Sequence, residues 1–260
     1  MRVLFVGDIV GKPGRLAVCS LIENIRDSHK VDFVVANAEN AAGGFGVTPN
    51  VVRELLDNGI DLLTSGNHIW DKKEIIASFN EERHLLRPAN YPTENPGTGS
   101  VIAQTPRGQK IGVVNILGRV FMNSVDCPFK VAVEEVNKLK AETKVILMDI
   151  HAEATSEKVS MGWFLDGKIS AVIGTHTHIQ TADERILPQG TAYITDVGMT
   201  GAMDSVIGMK KEMMIERFLT RRPQKFEVAK RDIKLNAVII DIDPQTGKSD
   251  GIKRLTMGLT

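Results

Sequence analysis

The chain has 260 residues, 42% of them hydrophobic, and its 32 Lys+Arg balance 32 Asp+Glu to give zero formal charge. That length admits one large α/β domain or two small ones, with apolar content enough for a core that needs no disulfide framework. The charge balance does not indicate a surface dedicated to long nucleic acids, no stretch approaches the roughly 18 apolar residues of a membrane span, and Gly7-Asp8 ends the N-terminal apolar run too early for a secretory signal. Two isolated cysteines, Cys19 and Cys127, suit a reducing compartment. They are expected as small buried apolar side chains, and the protein is expected in the cytoplasm.

The first third alternates strand and helix. A strand over Arg2–Gly7 leads to a helix from about Pro13 to His29, with proline near its first turn. A strand over Asp32–Asn37 precedes a glycine-rich loop, Ala41–Val47. Thr48 is placed to cap a helix that starts at Pro49 and runs through Asn58. A strand over Ile60–Ser65 follows, and Asp71 can cap a helix through about Phe79. Such alternation implies parallel strands with helices on their faces.

Pro88, Pro92, Pro96, Gly97 and Gly99 mark an ordered connection rich in breakers. Beyond it, Ser100–Thr105 and Lys110–Ile116 flank a turn and read as a hairpin. A helix is expected from about Lys130 to Ala141, a strand over Lys144–Ile150, and partial helix over Glu153–Phe164. After His178 the pattern returns to strands at Thr191–Thr195, Phe226–Ala229, Asn236–Ile242 and Gly251–Leu255, with a helix over Lys210–Thr220. A two-layer or sandwich core flanked by helices fits, formed by one domain spanning 1–260.

Five apolar runs end in residues that bind metals. Val3–Gly7 meets Asp8, Phe33–Ala36 meets Glu39 and Asn40, and Leu62–Thr64 meets Asn67 and His68. Val145–Ile150 meets His151, and Ala171–Gly174 meets His176 and His178. Ligands bind beyond the carboxyl ends of strands in open α/β sheets, so five such endings in register describe a site. His176-Thr177-His178 is expected to carry both imidazoles on one side of an extended segment. Gly66 is expected to permit a tight turn before Asn67-His68. Gly7–Lys12 is not a phosphate loop, because its glycine spacing is one short and Pro13 stands where Ser or Thr is needed.

In this order the fragments resemble the calcineurin-like metallophosphoesterases. There are three departures: Asp8 is not followed by an Asp-x-His histidine, Glu39 stands where a bridging Asp is usual, and Ile69 follows Asn67-His68. Those departures match a narrower group. Gly7-Asp8-Ile9-Val10-Gly11, Glu39-Asn40-Ala41-Ala42, Gly66–Glu74, His151–Lys158, Gly174–His178 and Tyr193–Gly201 closely resemble the YmdB-type bacterial phosphodiesterases, over nearly the whole chain.

The resemblance implies an α/β fold of calcineurin-like αββα type, two β-sheets flanked by helices, with the metal site at the carboxyl ends of the strands. It assigns Asp8, Asn40 and His178 to one ion, and Asn67, His151 and His176 to the other, with Glu39 bridging. His68 becomes the general acid. The implied reaction is hydrolysis of phosphodiesters, most of all nucleoside 2′,3′-cyclic phosphates, by a hydroxide shared between two metals about 3.5–4 Å apart. The oxygen and nitrogen donors, without thiolate, favour Fe or Mn, with Zn or Mg also admitted. A small-molecule phosphodiester or nucleotide is the expected partner, without a membrane, and a homo-oligomer (dimer or tetramer) is implied. Two alternatives share this ligand set: a phosphomonoesterase or protein phosphatase, and a metal-stabilised regulator that binds nucleotide or RNA without turnover.

Overall fold

In the computed structural model, which describes residues 1–259, the apolar runs become strands that bury both of their faces. The elements in chain order are β1 (Arg2–Val6), β2 (Asp8–Ile9), α1 (Gly11–His29), β3 (Phe33–Asn37), α2 (Pro49–Asp57), β4 (Leu62–Thr64), α3 (Lys73–Ser78), β5 (Ser100–Gln104) and β6 (Lys110–Leu117). There follow α4 (Pro128–Lys140), β7 (Ile146–His151), α5 (Thr155–Leu165), β8 (Ala171–Thr175), β9 (Arg185–Ile186), β10 (Ala192–Ile194), β11 (Met199–Ala202), α6 (Lys211–Thr220), β12 (Ile233–Ile242) and β13 (Ser249–Gly258).

They form two sheets. One has the order β2-β11-β12-β1-β3-β4, with β13 also paired to β12, and the other runs β5-β6-β7-β8-β10-β9. Strands β1, β3 and β4 are parallel, as are β6, β7, β8 and β10. Their carboxyl ends therefore gather at one end of each sheet.

Side chains alternate across a strand with period two, which sorts the core into three layers. Val3, Phe5, Phe33 and Val35 of the first sheet face Ile111, Val113, Leu147 and Ile173 of the second. The intervening Leu4, Val6, Val34 and Ala36 pack with Val18, Ile22 and Ile25 of α1 and Val52 and Leu55 of α2. On the far side Val114, Ile116, Ile146 and Met148 meet Val136 and Leu139 of α4 and Met161 and Leu165 of α5. The layers are helix, sheet, sheet, helix, so the chain has the αββα sandwich. Among the described residues no helix is long and apolar enough to cross a membrane.

Several local expectations need correction. Phe226–Ala229 is not a strand; Val228 makes a single bridge to Met209 while Glu227 O accepts from Lys210 N at 2.8 Å. Asp71 does not cap α3, whose N-cap is Lys72 without a side-chain hydrogen bond. Cys19 is exposed, on the solvent side of α1, and Cys127 is only half-buried. Thr48 does cap α2, accepting from Val51 N at 3.4 Å. The two-residue strands β2 and β9 and the short β11 have no periodicity long enough to read from sequence.

Candidate metal centre

All eight residues singled out from the sequence converge at the strand ends. Asp8 lies on β2 immediately past β1, Glu39 and Asn40 follow β3, and Asn67 and His68 follow β4. His151 closes β7, while His176 and His178 follow β8. Asp8, Glu39, Asn40 and His151 are buried to within 3% of complete exclusion from solvent, where a polar group is costly unless it finds a partner. Four of the eight polar residues thus face inward on one another.

Ligand-type atoms cluster twice, and Glu39 belongs to both clusters. Glu39, His151 and His176 form one, Asp8, Glu39 and His178 the other, with the donor atoms of each within 4.8 Å of one another. Glu39 Oε1 lies 3.1 Å from His151 Nε2, and His151 Nε2 lies 3.0 Å from His176 Nδ1 and 3.2 Å from Asn67 Oδ1. In the second cluster Asp8 Oδ1 lies 3.9 Å from His178 Nε2, and Asn40 Nδ2 lies 3.2 Å from the same nitrogen. Asp8 Oδ1 and Asn40 Oδ1 are buried without any hydrogen-bond partner. Two orphaned acceptor oxygens beside an imidazole are costly in a protein interior and suit a cation. The donor set and the orphaned oxygens fit a metal pair.

The charges are strongly coupled. Burial pushes the Asp8 carboxyl up to about 6, against the pull of His178 and His151. Burial also opposes ionisation of Glu39, yet His151, by charge and hydrogen bond, together with His68 and His176, holds its carboxyl well below the usual range. Burial disfavours a charged His151, but Glu39 and Asp8 outweigh it and raise the imidazole to about 9. Burial and the neighbouring His151 charge lower His176 to about 3. Without metal, the positive charge that balances Glu39 resides on His151.

The supporting residues were mostly invisible in the sequence. His151 Nδ1 pairs with Thr175 Oγ1 at 2.9 Å, and Thr175 Oγ1 donates to Asp149 Oδ1 at 2.7 Å. Asp149 also accepts from Thr64 Oγ1 and Asn37 Nδ2 at 2.6 and 3.0 Å. This chain fixes which ring nitrogen of His151 faces the cluster. Glu153 Oε2 lies 3.1 Å from His176 Nε2 and orients that ring. Lys158 Nζ and Asp196 Oδ2 pair at 2.7 Å with both side chains fully buried, and Asp196 Oδ2 also accepts from Thr177 N and Oγ1 at 3.0 and 2.8 Å. Asp71 Oδ2 lies 2.8 Å from His68 Nδ1.

One of the local backbone readings changes. His176 and His178 are not on an extended segment; both have left-handed φ, 98° and 66°, and each reaches a different cluster. Such conformations are costly for residues other than glycine and are retained where surrounding contacts over-determine them, here by the Asp196 grip on Thr177. Gly66 does open a turn, its carbonyl accepting from Ile69 N at 3.4 Å, and it is needed there for space as well. A Cβ there would lie 2.2 Å from Glu39 Oε2 and 2.3 Å from His151 Nε2.

A cavity of about 370 Å³ opens over the two clusters, lined near them by Glu39, Asn40, His68, Glu153, His176 and His178. His68 is partly exposed into it. The remaining two histidines lie elsewhere: His84 Nδ1 donates to Asp61 O on the surface, and the carbonyl of His29 accepts from Arg2 Nη1.

Comparison with known proteins brings in relatives of matching length. A family model described as YmdB-like protein matches residues 4–255. The 2′,3′-cyclic-nucleotide 2′-phosphodiesterase of Bacillus subtilis (strain 168) is 48% identical over 255 residues, covering 98% of this chain and 96% of that protein. Among solved structures, a hypothetical protein from Thermus thermophilus matches with a TM-score of 0.93 at 41% identity, over 99% of both chains. A structure described as a novel phosphatase from Mycoplasma pneumoniae matches with a TM-score of 0.93 at 34% identity, over 99% of this chain and 93% of its own.

Proposed function

Since this chain belongs to the YmdB-like family, we propose that it is a dinuclear-metal phosphodiesterase whose substrates are nucleoside 2′,3′-cyclic phosphates. The observation that carries this reading is the double membership of Glu39, one carboxylate common to two sets of ligand atoms. Asp8, Asn40 and His178 would hold one ion and Asn67, His151 and His176 the other, with the Glu39 carboxylate available to both. Bound there, two metals supply an acidified water at neutral pH and neutralise charge on the phosphoryl oxygens.

The remaining work belongs to the protein. His68, in the cavity wall, donates a proton to the leaving ribose oxygen, and the Asp71 carboxylate on Nδ1 leaves Nε2 as the nitrogen that delivers it. Glu153 and the Asp149–Thr175 chain keep His176 and His151 in the orientations that present lone pairs to metal. The cavity continues past the ligand clusters along an apolar wall, which suits a phosphate that still carries an organic group on its second ester.

Fe or Mn is the proposed metal, from a donor set of imidazole, carboxylate and amide without thiolate. The protein is proposed to act in the cytoplasm as a homo-oligomer (dimer or tetramer), each chain a single domain. The test is turnover by anaerobically purified protein of 2′,3′-cyclic AMP beside 2′-AMP and 3′-AMP. Preferential hydrolysis of the cyclic diester is expected. Preference for the monoesters would make it a phosphomonoesterase, and binding without turnover would make it a regulator.

A further inference from the structure

Away from the ligand clusters the cavity changes character. Its outer wall is Phe45, Phe226, Met209 and Met214, with Arg217 beside them. The Phe45 ring stands edge-on to His68, with centroids 5.0 Å apart, and Phe226 follows Phe45 at 6.0 Å. The Arg217 guanidinium lies over the Phe226 ring, 4.7 Å from its centroid. A line of aromatic rings thus leads from the candidate acid outward, ending in a group that can only donate hydrogen bonds.

The glycine-rich loop is built to hold Phe45 in this position. Gly44 has φ of 100°, and a Cβ on it would meet Val228 Cγ2 at 2.8 Å and Met209 Cε at 2.9 Å. The amides of Ala42 and Gly44 are spent within the loop, on Gly46 O and Asn40 O at 2.9 and 3.2 Å. Those two amides are therefore not offered to a phosphate; the loop's contribution to the cavity is an aromatic side chain. Ile207, whose carbonyl accepts from His178 Nδ1 at 3.0 Å, ties the methionine side of the wall to the ligand cluster.

We propose that Phe45, Phe226, Met209 and Met214 form a nucleobase subsite continuous with the metal centre, in which Arg217 donates to the acceptor edge of a purine. This rests on the phosphodiesterase reading above. With the phosphate at the ligand clusters and the ribose passing His68, the base arrives at the aromatic wall. Base stacking on aromatic side chains tolerates any base, because every base has a π face. Thioethers adapt to rings of different size. Discrimination comes from Arg217, since guanine presents N7 and O6 as acceptors where a pyrimidine has no matching pair.

The experiment compares 2′,3′-cyclic GMP, 2′,3′-cyclic UMP and the base-less diester 1-O-methylribose 2,3-cyclic phosphate on the metal-loaded protein. For Phe226→Ala the KM for both nucleotides should rise about tenfold with little change in kcat, while the base-less diester keeps its KM. Phe226→Leu retains apolar bulk without the π face and should show the same selective loss, which separates stacking from a folding defect. Arg217→Met should erase a preference for cyclic GMP over cyclic UMP and leave cyclic UMP unchanged. Equal effects of these variants on the nucleotides and the base-less diester, or a wild-type protein that handles the base-less diester as well as the nucleotides, would overturn the subsite. Failure of the underlying reading looks different: the wild-type protein would turn over neither nucleotide nor base-less diester.

Discussion

Asp71 Oδ2 lies 2.8 Å from His68 Nδ1, three residues along the chain, and this contact replaces the helix cap that Asp71 was expected to make. A carboxylate so placed selects the His68 tautomer and holds the ring with Nε2 turned away from Asp71. His68→Ala should keep its metals and lose at least about 10²-fold in kcat, the usual scale of proton-transfer catalysis. Asp71→Asn should lose kcat with KM nearly unchanged, and the double variant should be no worse than His68→Ala alone, because the two act as one unit. Additive losses would separate Asp71 from the acid.

Gly66→Ala tests the packing of the centre. The new methyl would meet Glu39 Oε2 and His151 Nε2 at 2.2 and 2.3 Å, so something has to shift. Overpacking of this kind typically costs about 1–3 kcal/mol. The expected outcome is a folded protein of lower Tm with sharply reduced metal content, read by thermal melting and elemental analysis. Wild-type metal content at wild-type affinity would contradict the geometry.

The buried Lys158–Asp196 pair predicts an asymmetric pair of variants. Lys158→Met leaves the Asp196 carboxylate buried without its counter-charge, which costs about 3–5 kcal/mol, while Lys158→Met combined with Asp196→Asn should recover much of that loss. Urea unfolding measures both. Because Asp196 also holds Thr177 between His176 and His178, the single variant should lose metal affinity along with stability.

These two contacts mark where reading the sequence stops. The metal-type residues were legible because apolar runs of strand length ended at Asp8, Glu39, His151 and His176, a pattern local to each run. The sandwich was legible for the same reason, with Val3 and Phe5 facing one way and Leu4 and Val6 the other. Lys158 and Asp196 are 38 residues apart, one on a helix and one beyond a strand, and nothing local announces a buried ion pair. The left-handed turn at His176–His178 is likewise imposed by tertiary contacts, so period-two reasoning misread it as extended. Phe226 looked like a strand residue because aromatic and β-branched neighbours favour strands; the bridge at Val228 and the cavity lining absorb it instead.

Metal uptake should release protons. In the metal-free protein His151 is raised to about 9, above its ordinary value near 6.5, so it carries a proton at pH 7. Its contribution to metal-free stability is full below about 6.5 and is lost as pH rises through about 9. Coordination requires the neutral ring, so metal affinity should climb with pH between 7 and 9, by up to roughly tenfold per unit. Calorimetric titration with Mn²⁺ in buffers of different ionisation enthalpy counts the protons released. Zero protons at pH 7 would contradict a protonated His151 in the metal-free centre.

The central claim is that one carboxylate, Glu39, serves two metals. Elemental analysis of anaerobically purified wild-type protein and Glu39→Gln, with turnover of 2′,3′-cyclic AMP measured on the same samples, tests it most directly. The account predicts two ions per wild-type chain, and the loss of both ions and of hydrolysis together in the variant. Two tightly bound ions in Glu39→Gln, or hydrolysis that survives it unchanged, would contradict a shared carboxylate and the mechanism built on it.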